Sequence, residues 1–299
     1  MAALNYAQEY SRALAQAYPY VLYFAKLHGG ENDRRYRWVN GKTVNLPVLS
    51  TTGAVDADND EITLATRNFD NQWEAKTLSH HRKWSTLLAP TDIDMTNMVA
   101  TIANITQVYN EFEKFPEKDK YLVSKVYADW TAQGKTADKT VLSATNILET
   151  LDGELVKFSE ARVPRAGTLL YVTPAVNKLL KGAVNRYMSG TDRELNRYLA
   201  VLDELEIIEV PSDIMKTAFD FTTGAVEDED ADQINYFMVH PSAIITPEAY
   251  TFAQVDSPSA LSEGKYVYYE ERFEDVFILN QRKDGIAFNI TESTTGGGG

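Results

Sequence analysis

Asp56, Asp58 and Asp60 stand at alternate positions in one short stretch. Calcium loops open with this spacing, because a hard cation is held by clustered carboxylate oxygens. The rest of that loop is missing: its sixth position, which needs glycine for a sharp bend, is Glu61, and its twelfth, which needs a bidentate glutamate, is Arg67. These residues read as a solvated turn, and Glu227, Asp228, Glu229 and Asp230 read as an exposed acidic loop. His80 and His81 are neighbours, and neighbouring side chains on a strand point to opposite faces. With only His28 and His240 besides, they supply no zinc ligand set. There is no Gly-x-Ser-x-Gly elbow, no P-loop and no Gly-x-Gly-x-x-Gly. No catalytic residue, cofactor-binding residue or metal ligand is assigned, and the expectation is that the chain is not an enzyme. The remaining enzyme reading, a metal-dependent hydrolase built on the acidic loops, requires Asp56→Asn or Asp58→Asn to abolish turnover without changing oligomeric state.

The segment around these aspartates says more than the aspartates do. Tyr36, Trp38 and Val39 lead into an alternation at Val44, Leu46 and Val48, turn formers fill residues 53–60, and alternation resumes at Ile62 and Leu64. This spells an extended hairpin between Tyr36 and Ser79. A leg of about fifteen residues reaches on the order of 50 Å. A two-stranded ribbon is only marginally stable in water, so a second copy of the chain is the expected cover.

Length and composition agree with an assembling protein. The 299 residues suggest about two domains, and 44% hydrophobic residues suffice for real cores. There are no cysteines, so stability must come from packing or association. Seventeen tyrosines exceed what a small core needs and suit half-buried interface positions. A net charge of −14 argues against a surface that grips nucleic-acid phosphates throughout. No apolar run reaches a membrane span and the N-terminus lacks the character of a secretory signal, so no membrane partner and a cytosolic origin are expected.

Periodicity places the other elements. Residues 4–27 predict an arm with short helical pieces. Met98, Ile102, Ile105, Tyr109 and Phe112 predict an amphipathic helix of about five turns, with Thr91, Asp92 and Asp94 as candidate caps. Pro116 opens a second helix carrying Leu122, Val126, Tyr127 and Trp130. A third runs from about Asp138 to Glu160 with Val141, Leu148, Leu151, Leu155 and Phe158 on one face. The chain then turns α/β. Residues 168–172, 206–210 and 234–239 predict strands, Thr173-Pro174 and His240-Pro241-Ser242 predict helix starts, and late strands follow at 266–269, 276–279 and 286–290, with Lys283-Asp284-Gly285 as a hairpin turn.

In this order the chain resembles the major capsid protein of tailed double-stranded DNA bacteriophages, with the Hong Kong ninety-seven fold. The resemblance is carried by the ribbon ending in Ala65-Thr66-Arg67, Asp92-Ile93-Asp94 before the long helix, Leu170-Tyr171-Val172-Thr173-Pro174, residues 205–212 and 236–243, and Phe273-Glu274-Asp275-Val276-Phe277 followed by Asp284-Gly285-Ile286. It spans nearly the whole chain. It implies an α+β fold: residues 1–34 as N-terminal arm, 35–90 as extended loop, 91–136 with 264–282 as peripheral domain around a spine helix, 137–263 with 283–291 as axial α/β domain, and 292–299 as a disordered tail. It also implies self-assembly as hexamers and pentamers into an icosahedral or prolate virion shell around packaged DNA, with a separate scaffolding protein or none, a portal protein and decoration proteins as partners. A bacterial nanocompartment shell with the same fold is the alternative. Some relatives cross-link a loop lysine to an asparagine; Lys76 or Lys42 and Asn280 are the residues that could be imagined in those roles, and no motif identifies them.

Overall fold

The computed structural model describes residues 20–28, 36–54, 69–95, 101–187, 201–202 and 204–293. Its centre is a five-stranded sheet built from β5 (Leu169–Val172), β6 (Val201–Leu202), β7 (Leu205–Glu209), β10 (Gln233–Val239) and β15 (Ile286–Thr291), in the order β15-β10-β5-β7-β6. β5 and β7 are parallel and the other pairs antiparallel. A parallel central pair must be covered on both faces, and the uninterrupted apolar run of β5 is buried throughout. On one face Tyr171, Phe237 and Phe288 pack against Leu122, Val126 and Trp130 of the long helix, with the Phe237 and Phe288 rings stacked at 4.6 Å. On the other, Leu170, Tyr236 and Met238 meet α4 (Ile147–Glu160) and α5 (Pro174–Tyr187). The predicted strand-to-helix junction holds: Thr173 Oγ1 accepts from Val176 N at 3.5 Å as α5 begins.

The long helix differs from its sequence reading in an informative way. A short α1 (Pro90–Met95) precedes it, and Thr101, rather than the Thr91–Asp94 group, caps α2 (Ile102–Tyr109) by accepting from Asn104 N at 3.2 Å. Met98 lies outside the described residues. Pro116 starts no new helix. α2 continues through a π turn (Asn110–Lys114) into α3 (Phe115–Ala132), a single rod of about 45 Å. Within a regular α-helix the Pro116 ring would collide with the carbonyl four residues back. The wider turn just ahead of it, in which Phe115 N reaches Asn110 O, opens the ladder there. Gly134, at φ +79, ends the rod.

Three further expectations are corrected. α4 begins at Ile147, not near Asp138, because Asp138 bridges to Asn289 of β15, and Val141 is left 81% exposed. Lys283-Asp284-Gly285 lies in a 3₁₀ turn between β14 (Phe277–Ile278) and β15, which belong to different sheets and cannot form a hairpin. β12 (Glu248–Asp256) has no counterpart in the sequence reading; it pairs with β13 (Tyr266–Glu274), which in turn pairs with β4 (His80–Leu88). This second sheet flanks the long helix, and Trp84 of β4 stacks on Tyr109 at 4.0 Å.

The arm contributes Tyr20–His28, whose Phe24 is fully buried with its ring 4.6 Å from Tyr171. Arm residues before Tyr20, the predicted turn at 55–60 with Ile62 and Leu64, and the glycine tail lie outside the described residues.

Candidate assembly surface

The ribbon is present and comprises β1 (Arg37–Asn40), β2 (Thr43–Thr51) and β3 (Phe69–Thr77), ordered β1-β2-β3. The pairing of β2 with β3 runs without a break from Thr43↔Thr77 to Thr51↔Phe69. Cross-strand partners share a face, so this register sorts the side chains. One face carries Val44, Leu46, Val48 and Ser50 with Lys76, Glu74, Gln72 and Asp70. At the base of the ribbon that face is a genuine core: Val44 and Leu46 are buried with Leu78, Ile245, Phe273 and Phe277.

The opposite face carries Pro47, Leu49 and Thr51 with Trp73, Asn71 and Phe69. Leu49 is 60% exposed, Phe69 52% and Trp73 50%. The apolar strip therefore lies on the face opposite the one that enters the subunit's own core, while the distal inner face is polar. Folding the ribbon onto its own body would bury the polar side and leave Trp73 and Leu49 in water. Between the ribbon and the body, a groove of about 450 Å³ is lined by Leu46, Pro47, Val48, Gln72 and Trp73 on one side and by Leu279, Asn280 and Arg282 on the other.

The base is held rigidly by polar contacts. Asp275 accepts from Ser79 N at 2.7 Å and from Tyr121 Oη at 2.8 Å. Glu117 of α3 accepts from Arg82 Nε at 2.7 Å, from Arg82 Nη2 at 3.0 Å and from Arg272 Nη2 at 3.1 Å. Arg272 also donates to Glu274 at 3.0 Å, Lys118 pairs with Glu274 at 3.1 Å, and Lys114 pairs with Glu270. Burial would raise the Glu117 carboxyl, but the hydrogen bonds from Arg82 and the charges of Arg272 and Arg82 hold it below the ordinary range. The arm is fastened nearby. Buried Asp119 accepts from Tyr20 Oη at 2.7 Å, Tyr23 N at 2.8 Å and Phe24 N at 3.3 Å. Burial outweighs these bonds and lifts its carboxyl to about 6.

Residues considered for chemistry are dispersed. Asp56, Asp58 and Asp60 lie outside the described residues. Glu227, expected in a loop, lies in the exposed short strand Val226–Glu227 that pairs with Phe219–Asp220, and its carboxylate pairs with Lys216 at 2.7 Å. His80 stacks on Tyr121 at 3.7 Å in the interior, whereas His81, on the other face, stacks on Phe273 at 3.6 Å and bonds Glu271. Among the described residues no group of three or more His, Asp or Glu is arranged to hold a metal ion, and no helix is long and apolar enough to cross a membrane. Lys76 and Asn280 both engage Glu74 of the same subunit, at 2.7 Å and 2.9 Å, while Lys42 Nζ lies over the Phe273 ring at 4.5 Å.

No protein-family model and no curated protein sequence matches the chain. Solved structures do. A structure from Mycobacterium phage Che8 has a TM-score of 0.63 at 12% identity, covering 91% of this chain and 92% of that one. The asymmetric unit of the bacteriophage PhiM1 mature capsid gives 0.63 at 13% identity over 85% and 82%. The capsid structure of Cyanophage P-SCSP1u gives 0.63 at 11% identity over 93% and 90%. Likeness so complete in coverage at so low an identity is a likeness of fold, and the chain is built on the bacteriophage capsid fold of the Hong Kong ninety-seven type.

Proposed function

We propose that this chain is a major capsid protein, a structural subunit that assembles into hexamers and pentamers and thence into a closed virion shell around packaged double-stranded DNA. The observation that carries the reading is the exposed apolar pair of Leu49 and Trp73 on the outer face of a ribbon whose inner face already serves the subunit's own core. Such a pair needs a foreign surface, and a heterologous contact that closes on itself gives rings. The ribbon is then the extended loop. The long helix with β13 forms the peripheral unit, which also takes in β4 and β12, placed by the sequence bounds in the extended loop and the axial domain, because both pair with β13; the five-stranded sheet with α4 and α5 forms the axial one. The capsid likeness supports self-association; a scaffold, a portal and decoration proteins are partners of the kind this role calls for. The acidic surface suits a wall that holds DNA without gripping it. Electron microscopy of the purified chain, alone and with candidate scaffolds, tests the reading: rings or shells support it, and a uniformly monomeric protein under every condition refutes it.

A further inference from the structure

The chain carries a net charge of −14, yet one of its grooves is basic. This groove, of about 330 Å³, lies where the end of α4, the turn after β10 and the turn before β15 meet. Gly285, in the last of these turns, packs against Val163, His240 and Ala243. Arg162 and Arg282 line the groove with His240 and Ser242. Asp284 is the one carboxylate among its described lining residues, and Lys135 neutralises it. Arg165 and Lys283 add positive charge close by in the chain. Arg282 Nη1 donates to Ser242 O at 3.1 Å, which fixes that guanidinium against the wall. Burial, and then the Arg282 charge, lower the His240 imidazole, and its Nδ1 accepts from Ser242 N at 3.3 Å.

Arg162 stands in this groove at a conformational cost. It follows α4 in the left-handed region, with φ 59. Its N–H bonds Ser159 O at 3.0 Å, and Val163 N bonds Phe158 O at 2.9 Å. This pair of bonds is the helix ending in which glycine usually takes the left-handed position, because a Cβ is disfavoured there. A strained backbone at a lining residue points to a use for its side chain. Among the described residues no carboxylate pairs with the Arg162 guanidinium.

We infer that this groove is a phosphate site with Arg162 and Arg282 as its donors, and that the backbone phosphates of duplex DNA are what it holds. The guanidinium fork matches phosphate oxygens in pairs, and a groove with its one carboxylate already paired presents no uncompensated charge to repel them. The choice of DNA as the source of the phosphate rests on the shell reading above; the site itself does not. The acidic remainder of the subunit then leaves the duplex loosely held, with one point of grip in each copy.

The full chain is titrated with inorganic phosphate by calorimetry and with a short DNA duplex by fluorescence anisotropy, beside Arg162→Gly and Arg162→Asn. Both replacements accept the left-handed backbone, so stability in urea should hold or rise. Phosphate affinity should fall about tenfold in each, the loss of one charge-assisted contact. Duplex affinity should fall as well, and the slope of its logarithm against that of salt should become shallower by about 0.9, one phosphate contact. A parent that binds no phosphate, or variants that bind it as the parent does, overturn the site and leave the shell reading to be judged separately by electron microscopy. A marked loss of urea stability in both variants makes Arg162 a structural residue and overturns the site too. Weakened phosphate binding with unchanged duplex affinity overturns the assignment to DNA in favour of free phosphate.

Discussion

Arg82 and Glu117 meet through two hydrogen bonds, 2.7 and 3.0 Å long, which lock the strand leaving the ribbon to the middle of the long helix. With Arg272 on the other side of the same carboxylate, the ribbon's base cannot swing without breaking a buried network. Removing one member of such a network leaves uncompensated charge. Glu117→Gln is expected to lower subunit stability by about 3 kcal/mol in urea titration. A loss below about 1 kcal/mol would show that the network does not hold the base.

Acid acts on this network with a defined sign. The carboxyls of Glu117 and Glu274 are held below their ordinary value in the folded state. Their contribution is present above the unfolded value near 4.5 and is lost as pH falls below it. Stability measured by thermal melting should drop below about pH 4.5, and less steeply in Glu117→Gln. Identical acid limbs in the two proteins would contradict the assignment.

Asp119 has the opposite sign. Its carboxyl is raised from 3.8 to about 6 in the folded subunit, so its contribution to stability is fully present below the unfolded value and is lost as pH rises through 6. Amide protection at Tyr23 and Phe24, corrected for intrinsic exchange, should fall between pH 4 and pH 6.5 and be flat in Asp119→Asn. Protection that rises over that range would reverse the account.

Phe24 is the apolar anchor of the same segment. Phe24→Ala removes a fully buried ring from the Tyr171 contact and is expected to cost about 3 kcal/mol. It should also abolish the protection of the Tyr23 amide. Retention of both values would show that the arm is held by other contacts.

Trp73→Ala and Leu49→Ala test the outer strip. Both side chains are half or more exposed in the subunit, so each change should alter subunit stability by less than about 0.5 kcal/mol while sharply reducing assembly seen by light scattering. Variants that assemble as the parent does would place the contact elsewhere.

Much of this was legible in the chain because it depends on local pattern. The alternation at Val44, Leu46 and Val48 gave the ribbon and its inward face, and the uninterrupted Leu169–Val172 run gave a doubly covered strand. Features set by distant contacts were not legible. Pro116 reads as a helix start, and only the π turn ahead of it allows one continuous rod. Val141 falls on the helical repeat, yet the bridge from Asp138 to Asn289, far along the sequence, holds that stretch out of helix. β12 was missed because residues 251–256, most of its length, are exposed on both faces and carry no buried alternation. The outward strip itself was half visible: Trp73, Leu49 and Phe69 are ordinary apolar residues until the register puts them on one side.

The central claim is that the ribbon is completed only by another subunit. The direct measurement is electron microscopy of the full chain beside a variant lacking residues 52–61, with circular dichroism as a check on folding. The account predicts shells or rings from the full chain, and a folded, soluble variant that forms neither. Normal shells from the shortened chain would contradict it.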